Sequence, residues 1–277
     1  NRRLQSSEHQ KAGVVGGIKK KECRILKHSR ILNRLLIYLL MKYNNQRNMP
    51  TILITGANGN LGLAVVSRLL DDGNRIIAVT GKSAAGKLPH DKNLVIKELD
   101  LMDEEKTENF VWSALKDDSG IDAAVLLAGG FAMGKLTDTG KADLDKMINL
   151  NFYTAYNMVR PLLKHFLERG NGGQFILVGS RPGLDAATGK DFFAYSLSKA
   201  LVFKLAEHIN AAGKEKGVTA TVIVPSTIDT EANRKAMPGA DFSKWVPAEK
   251  IADAISFSLS ETGKMIRESV VKIYNRS

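Results

Sequence analysis

The feature that most limits the fold of this chain is a glycine-rich turn between an apolar run and a helical pattern. The run TILIT at residues 51–55 leads directly into GANGNLG at residues 56–62. Apolar residues then recur at the spacing of a helix, at Leu61, Val65, Val66, Leu69 and Leu70. Strand, glycine turn and helix in this order are the context of a dinucleotide site, because glycine lets the backbone approach a pyrophosphate and the helix start offers unpaired N–H groups.

The turn therefore predicts a set of dinucleotide-binding residues: Gly56, Asn58, Gly59, Leu61 and Gly62. A tight strand-to-helix connection in another α/β protein is the alternative. The next apolar run, at residues 75–80, bears on which dinucleotide binds. An NAD site commonly has an acidic residue near this strand end, whereas this chain has Thr80, Gly81 and Lys82. Since Lys82 suits a 2′-phosphate, we expect NADP(H) to be favoured over NAD(H), unless Lys82 is only a solvated loop lysine.

A second motif predicts proton transfer. Tyr195 and Lys199 are four residues apart, so a helix places both side chains on one face. An unperturbed tyrosine has a pKa of about 10, and a nearby ammonium group favours the phenolate and lowers that pKa. We predict that Tyr195 is the general acid/base of a hydride transfer and that Lys199 lowers its pKa. Taken alone, the pair also fits an ordinary solvated helix face.

Strand and helix patterns alternate along the rest of the chain. Further strands are predicted at residues 94–96, 123–127, 174–178 and 219–224, and helices at about 103–117, 142–169 and 193–212. We expect Pro161 to kink the second of these helices and Gly170 to cap it. The alternation predicts a single α/β domain with a Rossmann-type, doubly wound parallel sheet. Small residues at Ala128, Gly129 and Gly130 end one strand and would let a cofactor come close.

The charge of the chain is concentrated in its first residues. The sequence has a net charge of +11, but residues 1–48 hold 12 of the 40 Lys and Arg and only 2 of the 29 Asp and Glu. Residues 49–277 are therefore almost neutral, which argues against a nucleic-acid surface. The single cysteine, Cys23, allows no disulfide framework and fits a reducing, cytoplasmic compartment. The five histidines have no metal-ligand spacing, and we expect no metal site.

We divide the chain into a basic tail, 1–48, and a dinucleotide-binding domain, 49–277. The longest apolar run of the tail, at 35–41, is far shorter than the roughly 20 residues that span a bilayer, so we expect no transmembrane segment. The tail composition fits a transit peptide or a membrane-surface anchor. We favour a third interpretation, in which the tail is upstream sequence from a mis-set start and Met49 is the functional start.

Six landmarks in order make residues 49–277 resemble the short-chain dehydrogenase/reductase family. They are residues 55–62, Asp100 with Leu101, residues 128–130, Asn151, Ser180, and Tyr195 with Lys199. The resemblance implies cofactor contacts also from Asp100, Leu101, Ala128, Gly129, Gly130, Tyr195 and Lys199, and from the segment after the sixth strand, at Pro225, Thr227, Ile228 and Thr230. It implies catalytic roles for Asn151 and Ser180 beside Tyr195 and Lys199. It also implies a homodimer or homotetramer formed by the helices near 142–169 and 193–212.

A narrower resemblance, to dihydropteridine reductases, lies in residues 233–247, 129–132 and 184–185. Two departures from that branch are Thr80, where an acidic residue is usual, and Ser180, since that branch lacks the family serine. We expect residues 230–246 to cover a small-molecule substrate. An apolar pocket for a flat ring is predicted from six side chains: Phe131, Met133, Phe192, Phe193, Met237 and Trp245.

The resulting prediction is an NAD(P)-dependent oxidoreductase, with a dihydropteridine reductase-like activity as its narrower form. A generic carbonyl or 3-oxoacyl reductase on the same scaffold is one alternative. A non-catalytic protein that senses NADP(H) is another, although the intact pair of Tyr195 and Lys199 argues against it.

Overall fold

A computed structural model describes residues 49–81, 87–116 and 120–276 of the chain. By its internal contacts the chain divides into Asn1–Met49 and Pro50–Ser277, and the fold below is that of the second unit. Its main sheet has seven strands: Thr51–Thr55 (β1), Arg75–Thr80 (β2), Leu94–Glu98 (β3), Ala123–Leu126 (β4), Gly173–Val178 (β5), Val218–Pro225 (β6) and Val270–Ile273 (β9). A separate two-residue pair consists of Ile228–Asp229 (β7) and Val246–Pro247 (β8).

The main sheet is parallel throughout, in the order β3-β2-β1-β4-β5-β6-β9. The order reverses between β1 and β4, so the carboxyl ends of these two strands border a crevice in which open α/β sheets bind ligands. All five residues of β1 are buried, as expected of a central parallel strand that is covered on both faces. This sheet confirms the predicted doubly wound fold and adds β9, which the sequence patterns did not indicate.

Eight α-helices are present in the described part of the chain: Asn60–Asp71 (α1), Glu104–Lys116 (α2), Lys141–Ile148 (α3), Thr154–Arg169 (α4), Arg181–Leu184 (α5), Phe193–Gly213 (α6), Glu231–Ala236 (α7) and Ala248–Leu259 (α8). The apolar face of α1 and α8 packs on one side of the sheet, against residues such as Ile52 and Ile54. The helices α2, α4 and α6 pack on the other side, against Leu53 and Val79. Alternate residues of β1 therefore serve two separate cores.

The long helix predicted near 142–169 is interrupted by one π-helical segment, Asn149–Tyr153, between α3 and α4. Single π turns inside α-helices often occur at functional sites. Asn151 lies in this segment and is buried. The helix continues through Pro161, so the irregularity is ten residues before the predicted kink. Gly170 caps α4 with a φ of 70°, which confirms the predicted glycine cap.

The segment between β6 and α8 has its own internal structure. Its two ends are joined by β7 and β8, and the Val246 N–H donates to the Thr227 carbonyl at 2.9 Å. Between them, Arg234 makes a two-pronged ion pair with Asp229 at 2.6 and 2.7 Å. Asn275 near the chain end donates its side-chain amide to the carbonyl of Trp245 at 2.8 Å. The segment predicted to cover the substrate is therefore ordered by contacts at both of its ends.

Candidate active site

The glycine turn after β1 brings backbone from two strands into close contact. Gly56 has a φ of 63°, a left-handed conformation that side chains other than glycine rarely adopt. A Cβ at Gly56 would lie 2.8 Å from the Ala128 nitrogen, and a Cβ at Gly62 would lie 2.2 Å from the Gly56 carbonyl oxygen. Both glycines are thus required by the close approach of the turn, β4 and α1. The Ala128 N–H also donates to the Thr55 hydroxyl at 3.3 Å, which ties the two strand ends together.

The amino end of α1 faces this turn. Gly59 is the N-cap residue in extended conformation, and no side chain makes a capping hydrogen bond there. The first intrahelical bond runs from the Leu63 N–H to the Gly59 carbonyl at 2.9 Å. The N–H groups of the first turn are therefore available to an anion, and the helix dipole favours negative charge at this end. Gly59 is exposed at the turn, and Asn58 and Leu61 are half-buried.

At the end of β2, the side chain of Thr80, one of the predicted cofactor-binding residues, is buried. The Thr80 side chain is only 2% exposed, and the Thr80 carbonyl accepts a hydrogen bond from the Leu99 N–H at 3.0 Å. Thr80 therefore shapes this corner of the site chiefly through its backbone, because its side chain faces the interior. Lys82, the residue that favours NADP(H) in the sequence, lies outside the described residues.

After β3 the chain makes a tight turn at Asp100 and Leu101. The Asp100 carboxylate is exposed and accepts a hydrogen bond from the Met102 N–H at 3.0 Å. The Leu101 side chain is buried in the core, and its carbonyl accepts a hydrogen bond from the Asn157 side-chain amide at 3.0 Å. The buried Leu101 side chain and the bond from Asn157 hold the turn, and the Asp100 side chain faces solvent. The sequence indicates the role of Asn157 only weakly, because Asn157 is a single polar residue within an apolar helical stripe.

Asn151 fixes the backbone of the small-residue segment 128–130. Its Oδ1 accepts from the Gly130 N–H at 2.9 Å, and its Nδ2 donates to the Gly130 carbonyl at 3.0 Å. Nδ2 also donates to the hydroxyl of Ser198, a fully buried residue, at 3.0 Å, and that hydroxyl donates to the Tyr195 carbonyl at 2.8 Å. The side chain of Asn151 is therefore committed to positioning. The catalytic role that the family resemblance implies for Asn151 would therefore have to use its main chain. Ser198 was not singled out from the sequence.

Gly129 lies where Asn151 and Lys199 converge. A Cβ there would be 2.5 Å from the Asn151 Oδ1 and 3.5 Å from the Lys199 Nζ. Any side chain at residue 129 would displace one of these two groups. The structure thus brings Gly129, Asn151 and Lys199 together at the carboxyl end of β4, as the family landmarks predict.

Tyr195 lies beside Ser180. Burial raises the pKa of the Tyr195 phenol, and a hydrogen bond with the Ser180 side chain lowers it in part. The sequence predicted a lowered phenol pKa because of Lys199, and in this structure that prediction is wrong. The physical reason is that burial outweighs the other effects. The phenol is therefore protonated at neutral pH and is a proton donor. Ser180, buried at the end of β5, also accepts from the Gly183 N–H at 3.2 Å as the N-cap of α5.

Lys199 points toward β5. Its Nζ donates to the Val178 carbonyl at 2.8 Å, and burial lowers the pKa of Lys199 to about 8. An ammonium group has three N–H donors, and this is the bond that Lys199 makes among the described residues. Gly183 allows α5 to pack closely against α6, because a Cβ at residue 183 would lie 2.8 Å from the Lys199 Cβ. Lys199 is thus held in a narrow space beside residues 128–130.

The predicted segment after β6 forms another wall at the same edge of the sheet. Pro225 is buried at the end of β6, and Thr227, Ile228 and Thr230 are half-buried. The Thr227 carbonyl is bonded to the covering segment, and the Thr230 hydroxyl accepts from the Asn233 N–H at 3.1 Å as the N-cap of α7. Thr230 therefore has a structural role in addition to the predicted cofactor contact.

Only part of the predicted apolar pocket assembles beside Tyr195. The Phe131 ring is 5.0 Å from the Tyr195 ring, edge to face, and 5.4 Å from the Phe192 ring. Phe131 is nevertheless 60% exposed. Trp245, in contrast, is buried and packs against Phe242, with their ring centroids 4.7 Å apart, so it belongs to the covering segment rather than to an open pocket.

The loop that carries Phe131 is anchored next to the aromatic cluster. The Gly134 N–H donates to the Asp191 carbonyl at 2.9 Å, and the Phe193 N–H donates to the Gly134 carbonyl at 2.8 Å. A side chain that is both exposed and held in place suits contact with a ligand.

The glycine cradle fits a dinucleotide. At Gly56, Gly62 and Gly129 an added Cβ would collide with the walls of the crevice, and α1 presents unpaired N–H groups at its amino end. Tyr195 and Ser180 lie near each other, and the Lys199 Nζ lies between Gly129 and the end of β5. No helix within residues 49–81, 87–116 or 120–276 is long and apolar enough to cross a membrane.

Comparison with known proteins agrees with this geometry. A dihydropteridine reductase of Dictyostelium discoideum is 26% identical over 230 residues, which cover 82% of this chain and 95% of that protein. The 3-oxoacyl-[acyl-carrier-protein] reductase MabA of Mycobacterium tuberculosis (strain ATCC 25618 / H37Rv) is 27% identical over 234 residues, with 80% and 90% covered. Among solved structures, ElxO with NADP bound has a TM-score of 0.72 and 23% identity, and the match covers 81% of this chain and 97% of that one.

The family model described as short chain dehydrogenase matches residues 50–241, which is more than half of the chain. The protein therefore belongs to the short-chain dehydrogenase family of oxidoreductase enzymes, whose fold binds a nicotinamide cofactor.

Proposed function

We propose that the protein reduces a small, planar ring substrate, as dihydropteridine reductases do, with NADP(H) as the favoured cofactor. The observation that carries the proposal is the environment of Tyr195. Tyr195 is half-buried, its phenol is protonated and lies beside the Ser180 side chain, and its ring lies edge to face with an exposed aromatic ring, Phe131. When bound, the nicotinamide supplies the hydride.

The roles of the chain's own residues follow from their positions. The Tyr195 O–H donates the proton that accompanies the hydride, so a reducible double bond of the substrate gains one hydride and one proton, and Tyr195 is left as phenolate. Ser180 holds the phenol and the accepting atom in line. Lys199 directs its remaining N–H donors toward the ribose side of the crevice. Asn151 keeps residues 128–130 at the distance that the cofactor requires. The amino end of α1 and Gly56, Asn58, Gly59 and Gly62 receive the pyrophosphate.

The preference for a planar ring rests on Phe131 and Phe192. Aromatic side chains beside the proton donor favour a flat conjugated substrate through stacking and edge-to-face contacts. The similarity to a dihydropteridine reductase over 95% of that protein's length points to the same class of substrate.

A second candidate is a 3-oxoacyl or carbonyl reductase. The similarity to a 3-oxoacyl-[acyl-carrier-protein] reductase is of the same extent, and Ser180 agrees with a substrate that has a carbonyl oxygen. The two candidates differ in the atom that receives the Tyr195 proton, which is a ring nitrogen in the first and an oxygen in the second.

A substrate panel tests the proposal. Oxidation of NADPH is measured with quinonoid dihydropterin, with an acetoacetyl thioester and with simple ketones. We expect the highest kcat/KM with quinonoid dihydropterin. A higher kcat/KM with the thioester or the ketones would support the second candidate. Tight cofactor binding without turnover of either substrate class would instead support a sensing protein.

NADP(H) is proposed because no carboxylate follows β2 in the sequence 80–82, where Thr80 and Gly81 precede Lys82. The solved neighbour ElxO holds NADP. Titration of the protein with NADPH and NADH checks this choice. A lower Kd for NADH would contradict it.

We also propose a homodimer or homotetramer. A groove of about 620 Å³ between α4 and α6 is lined mainly by apolar side chains, including Val159, Leu163, Leu167, Leu205 and Ile209. A second copy of the chain would cover this groove with the same two helices, related by a two-fold axis.

A further inference from the structure

One helical run holds both ends of the cofactor crevice. Asn151, in the π turn before α4, binds the backbone of Gly130 beside the catalytic pair. Asn157, in the first turn of α4, binds the carbonyl of Leu101 after β3. The two asparagines are six residues apart, which corresponds to about 9 Å along a helix axis. They therefore contact opposite ends of the crevice from a single rigid element.

The Asn157 side chain is not where helix preferences would place an asparagine. It is 5% exposed and lies among the apolar core residues Ala155, Met158 and Val159. Asparagine is a poor residue for a helix interior, and burying its amide is unfavourable unless the amide is hydrogen-bonded. Its bond partner, the Leu101 carbonyl, is 56 residues away in the sequence. The bond is thus a tertiary tie from α4 to the turn after β3.

The turn that Asn157 holds is stabilised by hydrogen bonds between its own residues. Among the described residues, it does not pair with a strand. The Met102 N–H donates to Asp100 Oδ1 at 3.0 Å, and the Asp103 N–H donates to the Asp100 carbonyl at 3.2 Å. These bonds fix the shape of the turn. Its position is fixed by the buried Leu101 side chain and by the bond from Asn157. The exposed Asp100 carboxylate moves with it.

We infer that Asn157 is a positioning residue for the adenine half of the cofactor and acts through the turn at Asp100 and Leu101. The inference rests on the proposed cofactor binding, because it assumes that this turn borders the adenosine. Asn151 then positions the nicotinamide end of the crevice, and Asn157 positions the adenosine end. Loss of Asn157 weakens cofactor binding and leaves the proton-transfer machinery intact.

The test compares wild type with Asn157→Leu, which removes the donor and keeps a similar volume. Binding of NADPH and of 2′-phospho-ADP-ribose, a fragment that lacks the nicotinamide, is titrated for both proteins. We expect both Kd values to rise about 3- to 10-fold, as for the loss of one buried hydrogen bond. At saturating NADPH we expect kcat to stay within twofold of wild type. If Asn157→Leu does not fold, Asn157→Ser breaks the same bond with a smaller change of packing.

A matched control is Asn210→Leu. Asn210 is also a helical asparagine that binds a backbone carbonyl, that of Ala220 at 2.9 Å, but it lies at the distant end of α6. We expect a loss of stability with unchanged Kd values. Unchanged Kd values for Asn157→Leu, or a fall in kcat with an unchanged KM for NADPH, would overturn the inference. Wild-type protein that binds neither NADPH nor NADH would contradict the proposed function itself, independently of either variant.

Discussion

At the scale of single residues, burial sets the direction of the pKa shift of both Tyr195 and Lys199. Burial raises the pKa of Tyr195 and lowers the pKa of Lys199 to about 8. In both residues burial disfavours the charged form. The Lys199 Nζ is bonded to the neutral Val178 carbonyl, and burial is what lowers its pKa. Near neutral pH the burial of the Lys199 ammonium therefore costs stability, whereas the neutral Tyr195 phenol has no such cost.

The first prediction concerns the pH dependence of that cost. The ordinary pKa of lysine is 10.5, so between pH about 8 and 10.5 the unfolded Lys199 holds more protons than the folded one. The free energy of unfolding of wild type therefore gains a contribution that rises with pH in this window and is lowest below pH 8. Lys199→Met lacks this contribution. We expect the stability of Lys199→Met relative to wild type to fall by about 2 kcal/mol from pH 7 to pH 9.5.

Urea unfolding of both proteins at the two pH values measures this difference, since the other titrating groups are common to both. A difference that is independent of pH would mean that Lys199 keeps an ordinary pKa in the fold. The control substitution is Lys204→Met, which removes an exposed lysine, paired with Glu207, from the same helix.

At the scale of elements, the contact of β1, α1 and β4 through the glycine turn determines the cofactor crevice. Gly62 is the tightest point of this contact, since a Cβ there would lie 2.2 Å from the Gly56 carbonyl oxygen and 2.7 Å from the Ala57 backbone. Those atoms are backbone and cannot rotate away. Gly62→Ala should therefore push α1 from the turn.

For Gly62→Ala we expect a loss of stability of about 1–3 kcal/mol, as for overpacking elsewhere, together with weaker cofactor binding. Denaturant unfolding and an NADPH titration measure the two effects. The control is Gly239→Ala, because nothing lies within 4 Å of a Cβ there, and it should leave the Kd for NADPH unchanged. Wild-type stability and Kd in Gly62→Ala would show that the turn has more room than this geometry allows.

Elements with a strong local pattern could be predicted from sequence, and those defined by tertiary contacts could not. Continuous apolar runs predict the buried strands at 51–55 and 123–126. The left-handed conformation that glycine readily adopts predicts the cap at Gly170. β9 was missed because it is a short edge strand with alternate exposed residues, paired on one side by β6. The π turn at 149–153 has no sequence signature of its own.

The site was predicted in its composition rather than in its electrostatics. The ordered landmarks assign catalytic roles to Asn151, Ser180, Tyr195 and Lys199. The structure brings these residues near one another, and their roles stay predictions. The direction of the Tyr195 pKa shift depends on burial and on where the Lys199 side chain points. The four-residue spacing in the sequence specifies neither of these. The same limit applies to Trp245, whose burial under the covering segment depends on Phe242.

At the scale of the whole molecule, one edge of the sheet holds the candidate active site and the groove between α4 and α6 remains open to a second copy. The groove is lined by apolar side chains of both helices. Leu163→Glu puts a carboxylate among them, and the cost of burying it should oppose association. We expect the variant to have the mass of a single chain by light scattering where wild type has two or four. A variant with wild-type mass would place the interface elsewhere.

We propose that Tyr195 donates the proton while a bound nicotinamide supplies the hydride. Tyr195→Phe removes the phenol O–H and keeps the ring that packs against Phe131. The measurement is the steady-state oxidation of NADPH by quinonoid dihydropterin, with the Kd for NADPH determined in parallel. The account predicts that kcat falls by about 10²-fold or more while the Kd for NADPH stays within about twofold of wild type. Full turnover by Tyr195→Phe on the same substrate would contradict it.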